Sequence, residues 1–348
     1  MKPLKIGKFT MDIPIVQGGM GVGVSLGNLA GHVALEGGVG TISSVGIGFR
    51  EPDYKKNNIE ANMRALKKEI EKAKEISKGK GMIAVNIMQA ITEFTELAKF
   101  AAENGADALV VGAGLPLKLP EIVAGTDVLI APIVSSKRAL DVIIRTWKKK
   151  FDRLPDFVIL EGVKAGGHLG YSIEEIEGED MIRENLKEIL EYREEKGYDF
   201  PVIAAGGIFD GADVKEFLDL GANGVQLGTR FIATHECDAS DIFKDHVVNA
   251  TADDLKVIYS PVGMPGRAVN TPLLERVERE GRIKPKSCQN CLVPCDPGST
   301  KYCISSALIN SVTGNLEEGL VFSGVNVGKI TKLQSVKEVI EDLTKELT

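Results

Sequence analysis

No stretch of about eighteen apolar residues occurs anywhere in the 348-residue chain, so a membrane-spanning helix is not expected. Basic residues are not in excess either. Against 42 Lys and Arg stand 49 Asp and Glu, a formal net charge of −7, and no dense basic block interrupts the chain. Nucleic acid and anionic membrane are therefore not expected as partners. Five cysteines are too few for a disulfide scaffold at this length. The opening Met1-Lys2-Pro3-Leu4-Lys5 runs into Ile6-Gly7-Lys8 without the apolar centre of a secretory signal, and the expected location is the cytoplasm. The glycine fingerprint of a dinucleotide fold is also missing, because Gly21-Val22-Gly23-Val24-Ser25-Leu26 has Leu26 where its third glycine belongs.

Glycine itself is plentiful, at 38 residues, but it comes at the ends of apolar runs and acts as punctuation. Eight such runs of strand length lie at 13–16, 39–44, 82–87, 108–111, 128–133, 157–160, 202–205 and 224–227. They are nearly continuous in hydrophobicity, the pattern of parallel strands covered by helices. Helical segments fall between them, at about 26–36, 59–77, 92–104, 137–150, 180–195 and 211–220. The Lys and Glu residues of 59–77 recur at i, i+4 spacing and read as a solvated face. The rhythm predicts an α/β fold, a (β/α)₈ TIM barrel over residues 1–250, with a doubly wound open sheet as the runner-up. From 251 to 332 the rhythm breaks, and the stretch reads as an irregular excursion after the eighth strand that flanks the mouth. Residues 333–348 carry Val336, Val339, Ile340, Leu343 and Leu347 at helical spacing, which predicts a C-terminal helix returning to the barrel.

The run at 157–160 empties into Ala165-Gly166-Gly167-His168-Leu169-Gly170. Imidazole is the side chain whose ordinary pKa lies nearest neutrality, and glycines beside it let a flat ligand or its phosphate approach the backbone. A glycine-rich turn with a surface histidine has the same local sequence, so the neighbouring strands must decide. Two late units end in Ala205-Gly206-Gly207-Ile208 and Gln226-Leu227-Gly228-Thr229-Arg230. Barrels place phosphates after their seventh and eighth strands, so these two turns predict a phosphorylated cofactor. In a barrel Met20, Asn86, His168, Gly206 and Gln226 would share one mouth.

Five segments occur in order: Ile15-Val16-Gln17-Gly18-Gly19-Met20, Val85-Asn86-Ile87-Met88, the histidine motif, Ala204-Ala205-Gly206-Gly207-Ile208, and Gly224-Val225-Gln226-Leu227-Gly228-Thr229-Arg230-Phe231. Together, from about residue 10 to 270, the chain resembles the nitronate monooxygenase family, formerly 2-nitropropane dioxygenases, which also holds flavin-dependent enoyl-acyl-carrier-protein reductases. The resemblance implies an FMN-containing barrel in which Asn86, Gly166, Gly207, Gln226, Gly228 and Thr229 contact FMN, Met20 packs near the flavin and His168 is the catalytic histidine. It also sets Glu161, Gly167, Gly206 and Leu227 beside the cofactor. Glu161 departs from the glutamine that many nitronate monooxygenases carry there, and a carboxylate near the flavin would alter its electronics or require a neutralising neighbour such as Lys164. The stretch Ser260-Pro261-Val262-Gly263-Met264-Pro265-Gly266-Arg267 follows the family loosely.

Two activities follow from the resemblance, oxidation of alkyl nitronates and NAD(P)H-dependent reduction of an enoyl thioester; a third reading, from another class, is a flavin/iron-sulfur redox relay in which the clustered cysteines matter and no small molecule is turned over. The expected partner is a small-molecule or acyl-thioester substrate, with a homodimer left open. Cys288, Cys291, Cys295 and Cys303 have the spacing C-x₂-C-x₃-C-x₇-C, which suits an iron-sulfur (4Fe-4S) cluster or, as second choice, zinc. Reduced structural cysteines come next as an explanation and disulfides last. Cys237, His32 and His246 read as packing residues, while Asn310, Ser311 and residues 322–326 are expected to reach the mouth.

Overall fold

A computed structural model describes residues 2–347. Its centre is a closed barrel of eight parallel strands: Ile15–Gln17, Val39–Ser43, Met82–Met88, Ala108–Gly112, Leu129–Val134, Val158–Glu161, Val202–Ala205 and Gly224–Leu227. The last strand closes the ring by pairing Val225 with Ile15 and Leu227 with Gln17. Each lies within a residue or two of an apolar run named above. Val39–Ser43 and Ala108–Gly112 are buried along their whole length, as strands must be when the barrel interior covers one face and helices the other.

The N-terminal hairpin, Leu4–Ile6 with Phe9–Met11, was not legible as strands. Leu4, Ile6 and Met11 pack with Val16, Val39, Met82, Phe157 and Ile203, so the hairpin plugs one end of the barrel and leaves the carboxyl ends of the strands as the open one. Helix Asn58–Ser77 turns Ala61, Ala65, Leu66, Ile70 and Ala73 inward and keeps its lysines and its glutamates in solvent, apart from half-buried Glu69, whose Oε2 accepts from Gly27 N–H at 2.8 Å. It stops where Lys78 and Gly79 take left-handed backbone.

Helix Val336–Thr344 begins with a reciprocal cap between Ser335 and Glu338 and packs against helices Gly211–Asp219 and Gly27–Leu35. Residues 251–332 hold more regular structure than their prolines and glycines suggest. Strands Leu255–Tyr259, Pro265–Val269 and Val321–Phe322 form an antiparallel sheet, and helices Pro272–Glu280 and Ile304–Val312 flank it. Helix Ile304–Val312 buries Ile304, Ala307, Leu308, Ser311 and Val312, a helical spacing too short to stand out between glycine-rich loops.

Candidate active site

The sixth barrel strand ends on Glu161, and the chain then turns into the two-residue strand Gly167–His168. That strand joins the excursion sheet, with His168 opposite Gly266 and Gly167 opposite Arg267. Arg267 is buried and its Nη1 donates to the carbonyls of Val163 and Ala165, each at 2.6 Å, which fixes the turn before the histidine. Two charge-assisted hydrogen bonds of this kind contribute about 1.5–3 kcal/mol each. The His168 ring meets Phe322 edge to face at 5.0 Å, and its Nε2 lies 2.8 Å from Ser260 Oγ. Ser260 and Arg267 both come from the stretch that follows the family loosely, so resemblance gave no reason to single them out.

Two abutting cavities open at the strand ends. The larger, about 200 Å³, is lined by Asn86, Gly167 and His168 together with Leu308, Ser311 and Phe322 of the excursion. The second, about 110 Å³, is lined by Gly206, Gly207, Gln226 and Leu227. Met20, Glu161, Gly166, Gly228 and Thr229 belong to both. All twelve residues expected at the cofactor or the reaction thus converge on one place. Gly206 and Gly207 have φ of 99° and 81°, which turns the backbone back around the hollow. A strap from the excursion crosses this hollow: Gly324 N–H donates to Thr229 Oγ1 at 2.8 Å, Val325 N–H to Lys164 O at 3.2 Å, and Asn326 Nδ2 to Gly207 O at 2.6 Å. Ser311 and the strap reach the site as expected, but Asn310 turns its Nδ2 toward Glu318 O, at 3.4 Å.

Electrostatics at the site follow from burial. Desolvation pushes the Glu161 carboxyl up to about 8. Lys164 does not relieve it, since its Nζ sits 3.2 Å from Asp180 Oδ2. The backbone carbonyl of Glu161 accepts from Tyr171 Oη at 2.5 Å, which holds the end of the strand while the carboxyl faces the cavities. Burial also lowers the His168 imidazole to about 4, so the ring is neutral at neutral pH.

The raised carboxyl pKa has a stability consequence. Below its ordinary value Glu161 is protonated whether or not the chain is folded; between about 4.5 and about 8 the unfolded chain gives up a proton that the folded chain keeps, so stability declines across that window. Glu161→Gln cannot ionise, so it should melt higher than the unsubstituted protein at pH 9 and close to it at pH 5. Parallel shifts at both pH values in thermal melts would mean that the carboxyl is solvated or paired.

The four clustered cysteines are free thiols, Cys288 exposed and the others half-buried. Their loop docks against residues 90–92: Thr92 N–H donates to Cys291 O at 3.2 Å and Val293 N–H to Ala90 O at 3.0 Å. Burial first, then the nearby Cys303, pushes the Cys291 thiol up to about 11. Among the described residues no three His, Cys, Asp or Glu side chains are arranged to hold a metal ion, so the ligand set suggested by the spacing is not assembled. Cys237 is buried with its thiol on Val24 O, and His32 Nδ1 is 2.9 Å from Asn28 O inside its own helix, both as packing residues.

A parallel barrel with a histidine and a glycine-lined hollow at the carboxyl ends of its strands has the architecture of a (β/α)₈ barrel enzyme. The chain belongs to the nitronate monooxygenase family, whose model matches residues 2–346. A probable nitronate monooxygenase of Bacillus subtilis is 31% identical over 56% of this chain, and the match spans about half (52%) of that relative's own length. A probable nitronate monooxygenase of Staphylococcus aureus is 24% identical over 81% of this chain and 82% of its own. Among solved structures, FabK from Thermotoga maritima superposes with a TM-score of 0.73 and 28% identity, covering 97% of this chain and 93% of its own. The nitroalkane oxidase of Streptomyces ansochromogenes shares the fold, with a TM-score of 0.71 at 19% identity over 97% of this chain and 96% of its own.

Proposed function

We propose that the chain is an FMN-dependent oxidoreductase of alkyl nitronates. The observation that supports this most directly is the meeting of a glycine-lined hollow with an enclosed, neutral histidine at the same strand ends. The hollow fits a phosphorylated cofactor: the backbone of Gly206, Gly207, Gly228 and Thr229 forms its wall, and Lys164 lines it with its ammonium on Asp180. Asn86 and Gly167 line the His168 cavity, Gln226 and Leu227 the hollow, and Met20 and Gly166 both, which supports a cofactor ring at their junction. FMN, when bound, supplies the redox chemistry.

The chain's own residues hold and move the proton. Ser260 Oγ already accepts from Val262 N–H at 3.3 Å, yet a hydroxyl has a second lone pair and a rotatable hydrogen. It therefore pairs with either tautomer of His168. With Nε2 protonated, Nδ1 is a base for the α-proton of a neutral nitroalkane; with Nε2 bare, the Nδ1 hydrogen is a donor for the nitronate oxygens. Protonated Glu161 adds a second donor beside the ring space.

NAD(P)H-dependent reduction of enoyl thioesters is the second reading, supported by the likeness to FabK over nearly the whole chain. The cysteine spacing supports an iron-sulfur centre, with zinc second, through its soft donor set alone, and the proposed reaction uses nothing from it. The test is spectral and kinetic. Purified protein should show flavin absorption, release FMN on denaturation and take up oxygen with propyl nitronate. Protein that stays colourless after incubation with FMN overturns the reading, and NAD(P)H oxidation under argon with a crotonyl thioester, without oxygen uptake on nitronate, replaces it with the reductase.

A further inference from the structure

Beyond His168 the site continues into a third, smaller cavity of about 40 Å³. His168, Met88 and Leu308 line both this space and the main cavity, so the two adjoin at these side chains. Its far wall is built by Leu97, Leu292 and Ile304, from a barrel helix, the cysteine-bearing loop and an excursion helix. Besides His168 and the Cys291 thiol, the polar side chains on the wall already have partners. Asn62 Oδ1 accepts from Gly48 N–H at 2.8 Å, Glu93 Oε1 from Asn58 Nδ2 at 3.0 Å, and the Tyr54 hydroxyl pairs with Ser305. What the cavity offers a ligand is therefore apolar surface, while the reacting end of any ligand that fills it faces the histidine.

We propose that this cavity is a tail subsite, which takes the end of an unbranched apolar chain on a substrate whose reacting group lies beside His168. The inference deepens the reading of the His168 cavity as the place of reaction and rests on it. It gives the preferred substrate a straight alkyl or acyl chain, longer than the shortest nitronates, and makes the residues around Ser305 the ones that set chain length. One water needs roughly 10–15 Å³ of such space, so the volume holds about three small groups, or roughly three methylenes. Each buried methylene should tighten binding about fourfold.

The experiment measures dissociation constants by calorimetry, under argon, for straight-chain nitroalkanes of two to ten carbons and for 1-alkanols of the same lengths. The full-length protein is used as purified. The expected result is a rise of about fourfold per added carbon over some three carbons, then a plateau, in both series. Ser305→Phe, which puts a ring into the subsite, should remove that rise and leave nitroethane binding within about twofold. Leu292→Trp fills the same space from the loop and serves where the first variant melts early. A flat series in the unsubstituted protein, or a rise that persists in the folded filled variant, overturns the subsite. The offset between nitroalkane and alkanol of equal length reads the head group instead, so its absence speaks against the proposed reaction and leaves the chain-length result standing.

Discussion

His168→Ala should lower kcat/KM for propyl nitronate by about a hundredfold or more while FMN stays bound, because the residue lines the reaction cavity and touches the cofactor hollow only through its neighbours. The pH profile makes the expectation specific. Burial holds the imidazole at about 4, so the ring keeps one proton from pH 5 upward and its role does not change with pH there. With a neutral nitroalkane as substrate the rate should be flat from about pH 5.5 to 7 on the histidine's account and fall only near pH 4, where the ring gains its second proton and the base is lost. The same depression acts on stability. Between pH 6.5 and about 4 the unfolded chain binds a proton that the folded chain does not, so stability declines as pH falls through that window. An inflection near 6.5 in the unsubstituted enzyme that vanishes in His168→Asn would show a solvated ring. A variant that keeps full rate would remove the histidine from the mechanism.

Most of the barrel was legible because each strand is a closed apolar run, and five of the eight end in or just before a glycine. Helix faces cover these strands on the outside, so no alternation of polar and apolar residues blurs the signal. The hairpin Leu4–Ile6 with Phe9–Met11 escaped because three-residue strands carry too few positions to show a period. In the site, residues within or just after their own strands, such as Asn86, Gly206 and Gly228, could be placed from order alone. Ser260 and Arg267 could not. Arg267 pairs antiparallel with Gly167 a hundred residues away, and Ser260 reaches His168 from the turn after strand Leu255–Tyr259; contacts at that separation leave no local trace. The cysteine quartet shows the opposite failure. Its spacing is legible, but a loop's spacing does not fix where the sulfurs point, and here Cys288 lies in solvent while Cys291 turns toward the tail cavity.

Gly166→Ala should detach the strap from the hollow. A Cβ at this position would lie 2.4 Å from the Ser323 carbonyl carbon and 2.5 Å from Gly324 N, both backbone atoms that cannot swing aside as a side chain would. The strap or the turn must then move, and the strap's hydrogen bonds to Thr229, Lys164 and Gly207 are the first to break. Overpacking of this kind costs about 1–3 kcal/mol. The larger effect falls on FMN, since the strap's Gly324, Val325 and Asn326 wall the hollow, and affinity should drop by about a hundredfold. Gly167→Ala separates this from a general fault in the turn. Its Cβ would meet nothing nearer than Phe322 Cγ at 4.0 Å, so the penalty is confined to its φ of 75°, about 1–2 kcal/mol of backbone strain. That variant should lose stability, and because Gly167 lines the His168 cavity and not the hollow, its FMN affinity should fall far less than that of Gly166→Ala. Hydrogen exchange over residues 323–326 reads the strap without reference to the cofactor: it should quicken in Gly166→Ala and stay unchanged in Gly167→Ala. Equal exchange in the two variants would mean that the strap accommodates the methyl group and that the tight approach at Gly166 does not hold it in place.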